Sequence, residues 1–83
     1  VDDLNYSTGV RISPNPANET IWINSEEPIQ SLQMIDNMGQ VVMRQGLLNL
    51  NAIQLNIAAL PVGIYIIQFE TINGQVTRKF VKN

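Results

Sequence analysis

From Val10 to the end of the chain, apolar and polar residues alternate in short runs rich in Ile and Val, divided by proline, glycine and asparagine. This pattern predicts many short strands, and no stretch keeps a helical period. Val10-Arg11-Ile12-Ser13 alternates and stops at Pro14-Asn15-Pro16, where two prolines deny ladder donors and turn the chain. Glu19 to Asn24 follows, with Ile21 and Ile23 on one face and Trp22 on the other. Ser25-Glu26-Glu27-Pro28 reads as a loop, and Ile29 to Asp36 as a third strand with Leu32 and Met34 inward. Asp36-Asn37-Met38-Gly39 carries turn chemistry, because Asn and Gly tolerate positive φ, and it predicts a hairpin into Gln40 to Gln45. Gly46 to Asn51 is left undecided. Ile53, Leu55 and Ile57 share one face of a further strand, and Ala58-Ala59-Leu60 forms a single turn before Pro61-Val62-Gly63. Ile64 to Glu70 is apolar on both faces for most of its length, as in a central strand covered on two sides. Ile72-Asn73-Gly74 turns the chain, its Asn-Gly pair predicting a hairpin into the last strand, Gln75 to Lys82, whose facing is ambiguous: Val76 and Phe80 share a parity that Val81 does not.

About seven strands without helices point to an all-β fold, a small antiparallel β-sandwich of immunoglobulin-like type, with a small barrel as the alternative. The polar residues 1–9, with two acids and no apolar core of a signal peptide, read as a linker into a domain at 10–83. The missing initiator Met suggests a piece of something longer.

Composition narrows the chemistry. The 83 residues include no cysteine and no histidine, which removes thiol nucleophiles, His-based triads and Cys/His zinc sites. Five Lys and Arg against seven Asp and Glu leave a net charge of -2, a poor match for a nucleic-acid backbone. No apolar stretch approaches the ~18 residues of a membrane-spanning helix. The neighbouring pairs Asp2-Asp3 and Glu26-Glu27 point apart on extended chain and make no acid/base couple. Asp36 to Gly39 lacks the repeated oxygen ligands of a calcium loop. No catalytic residue, cofactor or metal ligand is therefore expected. Trp22, facing outward, could anchor a partner or lie against a neighbouring strand. Arg78, Lys79 and Lys82 place three of the five positive charges in the last six residues, where they either protect an edge from aggregation or form an address read by a receptor. Apolar edge strands could also pair with a second copy of the chain.

Several motifs recur in one order: Ile12-Ser13-Pro14-Asn15-Pro16-Ala17-Asn18, then Ile21-Trp22-Ile23, Met34 to Val42, Leu60-Pro61-Val62-Gly63-Ile64-Tyr65, and Lys79-Phe80-Val81-Lys82. Together they resemble the C-terminal sorting domain of the type IX secretion system of Bacteroidetes. Ser13 departs from the aromatic or aliphatic residue usual before the Pro-Asn-Pro motif. The resemblance implies a non-catalytic export signal at the end of a cargo protein, passing through the periplasm to the outer-membrane surface or the medium. It implies the type IX translocon as partner, and a sortase-like surface peptidase that cuts before or within residues 1–9. The signal is then expected at Lys79, Phe80, Val81, Lys82 and Asn83, with Pro14, Asn15, Pro16, Gly39, Gly63 and Tyr65 as structural positions. The competing expectation is an adhesive or carbohydrate-binding module that uses Trp22 and nearby Asn or Gln side chains.

Overall fold

A computed structural model describes residues 9–14 and 16–83. Among them are six strands: β1 (Val10–Ser13), β2 (Thr20–Ile35), β3 (Val41–Gln45), β4 (Leu50–Asn56), β5 (Gly63–Thr71) and β6 (Gly74–Lys82). Every strand pairing is antiparallel. Of the expected linker, only Gly9 lies within the described residues.

The strand count falls below the expected seven because Ser25-Glu26-Glu27-Pro28 is not a loop. β2 runs through it unbroken. Partners distant in sequence satisfy its backbone: Glu26 N–H donates to Gly9 O at 3.1 Å, and the Asn51 side-chain amide donates to Ser25 O and Glu26 O. Ser25 Oγ also donates to Glu27 O and accepts from Glu27 N–H. Pro28 has no N–H to offer the ladder, and here β2 changes partners. Its first half pairs with β1 and β4, its second half with β3 and β5, and β6 extends the second group beyond β5. One long strand thus belongs to both layers of the sandwich. The inward parity changes with it, from Ile21, Ile23 and Ile29 to Leu32 and Met34, across the register shift between Ile29 and Ser31.

The core between the layers is built of apolar side chains, with Thr71 and Lys82 buried beside them. Val10, Ile21, Ile23, Ile53, Leu55 and Ile57 meet Leu32, Met34, Tyr65, Ile67, Phe69 and Phe80, with Ala17 wholly buried at one margin. β5 corrects a second expectation. It is central in its layer, but only the face bearing Tyr65, Ile67, Phe69 and Thr71 is buried; Ile64 and Ile66 are 46% and 38% exposed. Apolar side chains on both faces of a strand therefore do not require a layer on both faces. The register sets Ile66 beside Ile35 and Lys79, and Ile35 beside Val41, which makes an apolar outer row.

The β5–β6 turn falls at Ile72-Asn73-Gly74 as read. Thr71 pairs with Gly74, so Ile72 and Asn73 form the tip and the positive φ of 122° falls on Gly74. The β2–β3 hairpin stands as read. Asp36 N–H donates to Gln40 O, Gly39 N–H donates to Asp36 O, and Gly39 has φ 86°. Between β3 and β4, the undecided stretch carries positive φ at Leu47 and Asn49 and is tied to β2 by Leu48 and Asn49 N–H donating to Gln30 O and Ile29 O.

Candidate functional site

The last strand settles into one facing. Phe80 and Lys82 point inward and are 0% and 6% exposed; Val76 is half-buried on the same side; Lys79 and Asn83 are exposed and Val81 is half-buried. Phe80 is held by its cross-strand neighbour Tyr65, whose ring stacks on it with centroids 5.4 Å apart and planes 19° apart. The offset-stacked contact adds about 0.5–1.5 kcal/mol to the burial of the two rings. Tyr65 O–H in turn donates to Pro61 O, four residues back, so the turn before β5 is tied to the strand it starts. A tyrosine bonded to upstream backbone in this way is the corner device of immunoglobulin-like sandwiches. The motif Leu60 to Tyr65 thus acts as a mount for Phe80.

The first motif reaches the same strand end. After the cis Ser13–Pro14 peptide and the exposed Pro16, Ala17 turns inward and bridges to Lys82 in parallel. Ala17 N–H donates to Val81 O and Asn83 N–H donates to Ala17 O, both at 2.8 Å. Asn15 lies outside the described residues. Val81 and Asn83 are therefore held by main-chain bonds on the side away from β5, so addition of a partner strand at this point would have to displace Ala17. The motif reading of Pro14 and Pro16 as a corner did not single out Ala17. A small residue directly after the prolines was its one sequence signal.

Lys82 is buried along its stem, with Nζ donating to Asn83 O at 3.4 Å. A lysine can cover apolar surface with its methylenes while keeping its ammonium group at the margin. Arg78 makes a different link. Its Nε donates to Val10 O at 3.2 Å and its Nη1 to Thr77 O at 2.9 Å, which joins β6 to the beginning of β1. The two ends of the domain, 68 residues apart in sequence, are thereby in contact.

The remaining candidates separate from this cluster. Trp22 lies on the outer face of the β1–β2–β4 layer, 50% exposed, directly between Ser13 and Gln54. Asp36 is engaged in its own turn, its Oδ1 accepting from Met38 N–H and Gln40 N–H at 2.9 Å each. Glu27 accepts from the Asn73 side chain, and Glu70 accepts from Ser31 Oγ. These carboxylates serve turns and cross-strand contacts. Gly39 lies in the β2–β3 turn, whereas Gly63 pairs with Lys82.

Comparison with solved structures establishes the class. The chain superposes on a DUF3244-family protein with an immunoglobulin-like β-sandwich fold from Bacteroides vulgatus, with a TM-score of 0.74 over 94% of this chain and 88% of that one. At 14% identity, that likeness concerns the fold alone. The sequence model for the secretion system C-terminal sorting domain matches residues 11–83, and the chain belongs to that family, the sorting domains of type IX secretion. Membership implies a cargo protein ahead of the domain and export to the outer membrane or cell surface. No curated protein matches the chain.

Proposed function

We propose that this domain is an export signal read at the end of β6, with the side chains of Lys79 and Asn83 presented to the translocon and those of Phe80 and Lys82 serving as anchors. The sidedness of the strand carries the reading: neighbouring residues alternate between exposed and buried, so a receptor that meets the folded domain touches only part of the five-residue signal. The role asks for no catalysis. A sortase-like surface peptidase would separate domain from cargo before or within residues 1–9, on the N-terminal side of the Val10 that Arg78 holds.

The test fuses residues 1–83 to a periplasmic reporter in a type IX secretor. The double variant Lys79→Ala/Asn83→Ala is expected to reduce surface or extracellular reporter about tenfold or more with Tm unchanged, since both side chains are exposed. Deletion of Lys79 to Asn83 should abolish export. Full export of both variants would refute the reading.

The position of Trp22 favours a second role, as an adhesive contact. Its exposed indole is flanked by Ser13 and Gln54, with Asn24 two residues along the same face, a combination suited to a neutral sugar ring. Under this reading Trp22→Ala loses binding to a neutral glycan array while export persists. Equal glycan binding by the variant and the parent domain would dismiss it. Self-association through edge strands does not enter either reading.

A further inference from the structure

Charge is unevenly distributed over the domain. An open cleft of about 660 Å³ follows the margin where β1 meets β6, lined by Arg11, Ile12, Ser13, Asn24, Arg78 and Lys79 together with Val10. Three of the chain's five basic residues converge here, and none of the described lining residues is acidic. Glu27 and Glu70 lie instead near the β5–β6 turn, at the other end of β6. Arg11 is exposed on β1 beside Asn24 and makes no ion pair among the described residues. In a protein of net charge -2, three basic residues thus line one groove, which begins at the domain's first strand and includes Lys79, while Glu26 lines the adjoining cleft with Arg11 and Asn24.

We infer that this cleft receives an extended acidic peptide segment, one that belongs to the machinery reading the signal. The inference rests on the reading of β6 as the export signal and supplies the chemistry of its partner. Two features favour a peptide over a compact phosphate. Arg78 already commits Nε and Nη1 to Val10 O and Thr77 O, so it contributes charge to the cleft more than a free two-pronged grip. The cationic groups are also spread across two strands around the half-buried Ile12, an arrangement that suits an extended chain carrying spaced carboxylates. Because Arg11 belongs to β1, the partner reads both ends of the domain at once, and a chain with an unfolded N-terminal strand is rejected.

The experiment titrates ¹⁵N-labelled residues 1–83 with a peptide of alternating Glu and Val, and with its Gln/Val counterpart. The Glu peptide is expected to shift the amide signals of Arg11, Ser13, Asn24 and Lys79, and to weaken several-fold between ~50 and ~200 mM salt as charge is screened. The Gln peptide should leave them in place. Arg11→Gln should weaken Glu-peptide binding about fivefold at unchanged Tm and reduce export of the reporter fusion. Equal binding of both peptides, shifts confined to other surfaces, or tighter binding of tripolyphosphate than of the Glu peptide would overturn the inference. Loss of export in Lys79→Ala/Asn83→Ala, without Glu-peptide binding by the parent domain, would remove the cleft's role and leave the export reading standing. Glu-peptide binding in a domain whose export ignores Lys79 and Asn83 would remove the export reading, and with it the partner's assignment to the machinery.

Discussion

Phe80→Ala is expected to destabilise the domain by about 3–5 kcal/mol, the usual cost of emptying a fully buried aromatic site. Phe80 is 0% exposed, stacks on Tyr65 and closes the core from the last strand. A domain of this length is held by roughly 4–12 kcal/mol in total, so the variant loses about a quarter or more of its stability and unfolds outright where that total lies at the low end. Chemical denaturation, or calorimetry where the variant still folds, checks the size of the loss. The result bears directly on function. Phe80 lies within the proposed export signal, and where its replacement unfolds the domain, export would be lost with the fold even if no receptor ever touches the ring. Lys79 and Asn83 provide the contrast, since their exposed side chains can be removed with the core intact. A Phe80→Ala domain that kept its full stability would contradict the packing described here.

The second large effect is expected at Ala17. Its side chain is completely buried and its main chain bonds to Val81 and Asn83, so Ala17→Leu must force apart the corner and the strand end. Overpacking of this kind costs about 1–3 kcal/mol. The local consequence should exceed the global one. Amide hydrogen exchange at Asn83, whose N–H donates to Ala17 O, should accelerate about tenfold or more, because a loss of ~1.4 kcal/mol in local opening is a factor of ten. Unchanged protection at Asn83 would mean that the first motif does not hold the last strand. If protection falls and export falls with it, the Pro14 to Ala17 corner is needed to present the signal.

The hydrophobic pattern was legible wherever a strand has one wet face and one dry face. The alternation of Ile21, Trp22 and Ile23, the inward pair Leu32 and Met34, the shared face of Ile53, Leu55 and Ile57, and the Asp36 to Gly39 hairpin could all be read directly, because side-chain parity and turn stereochemistry are local properties. The family motifs were legible for the same reason, each being a short run of turn or strand residues.

Where residues distant in sequence supply the partners, local reading failed. Ser25 to Pro28 has the composition of a loop, yet Gly9 and Asn51 satisfy its backbone and carry β2 from one layer into the other. Ile64 and Ile66 look like core residues, yet they face outward, since a strand's parity says which residues share a face and not whether another layer covers it. The terminal lysines look alike in sequence, but Lys79 is exposed and Lys82 is buried beside Ala17.

The sequence by itself determined an all-β domain without histidine or cysteine chemistry, the faces of most strands, and an end rich in positive charge. Those properties follow from residue type and a period of two. The tertiary structure alone decided that the first motif clasps the last strand, that Phe80 and Lys82 of that strand are buried, and that Arg11 joins Arg78 and Lys79 in one cleft. These depend on closing a chain of about seventy residues so that its ends meet, and nothing within one strand encodes which distant strand will lie beside it.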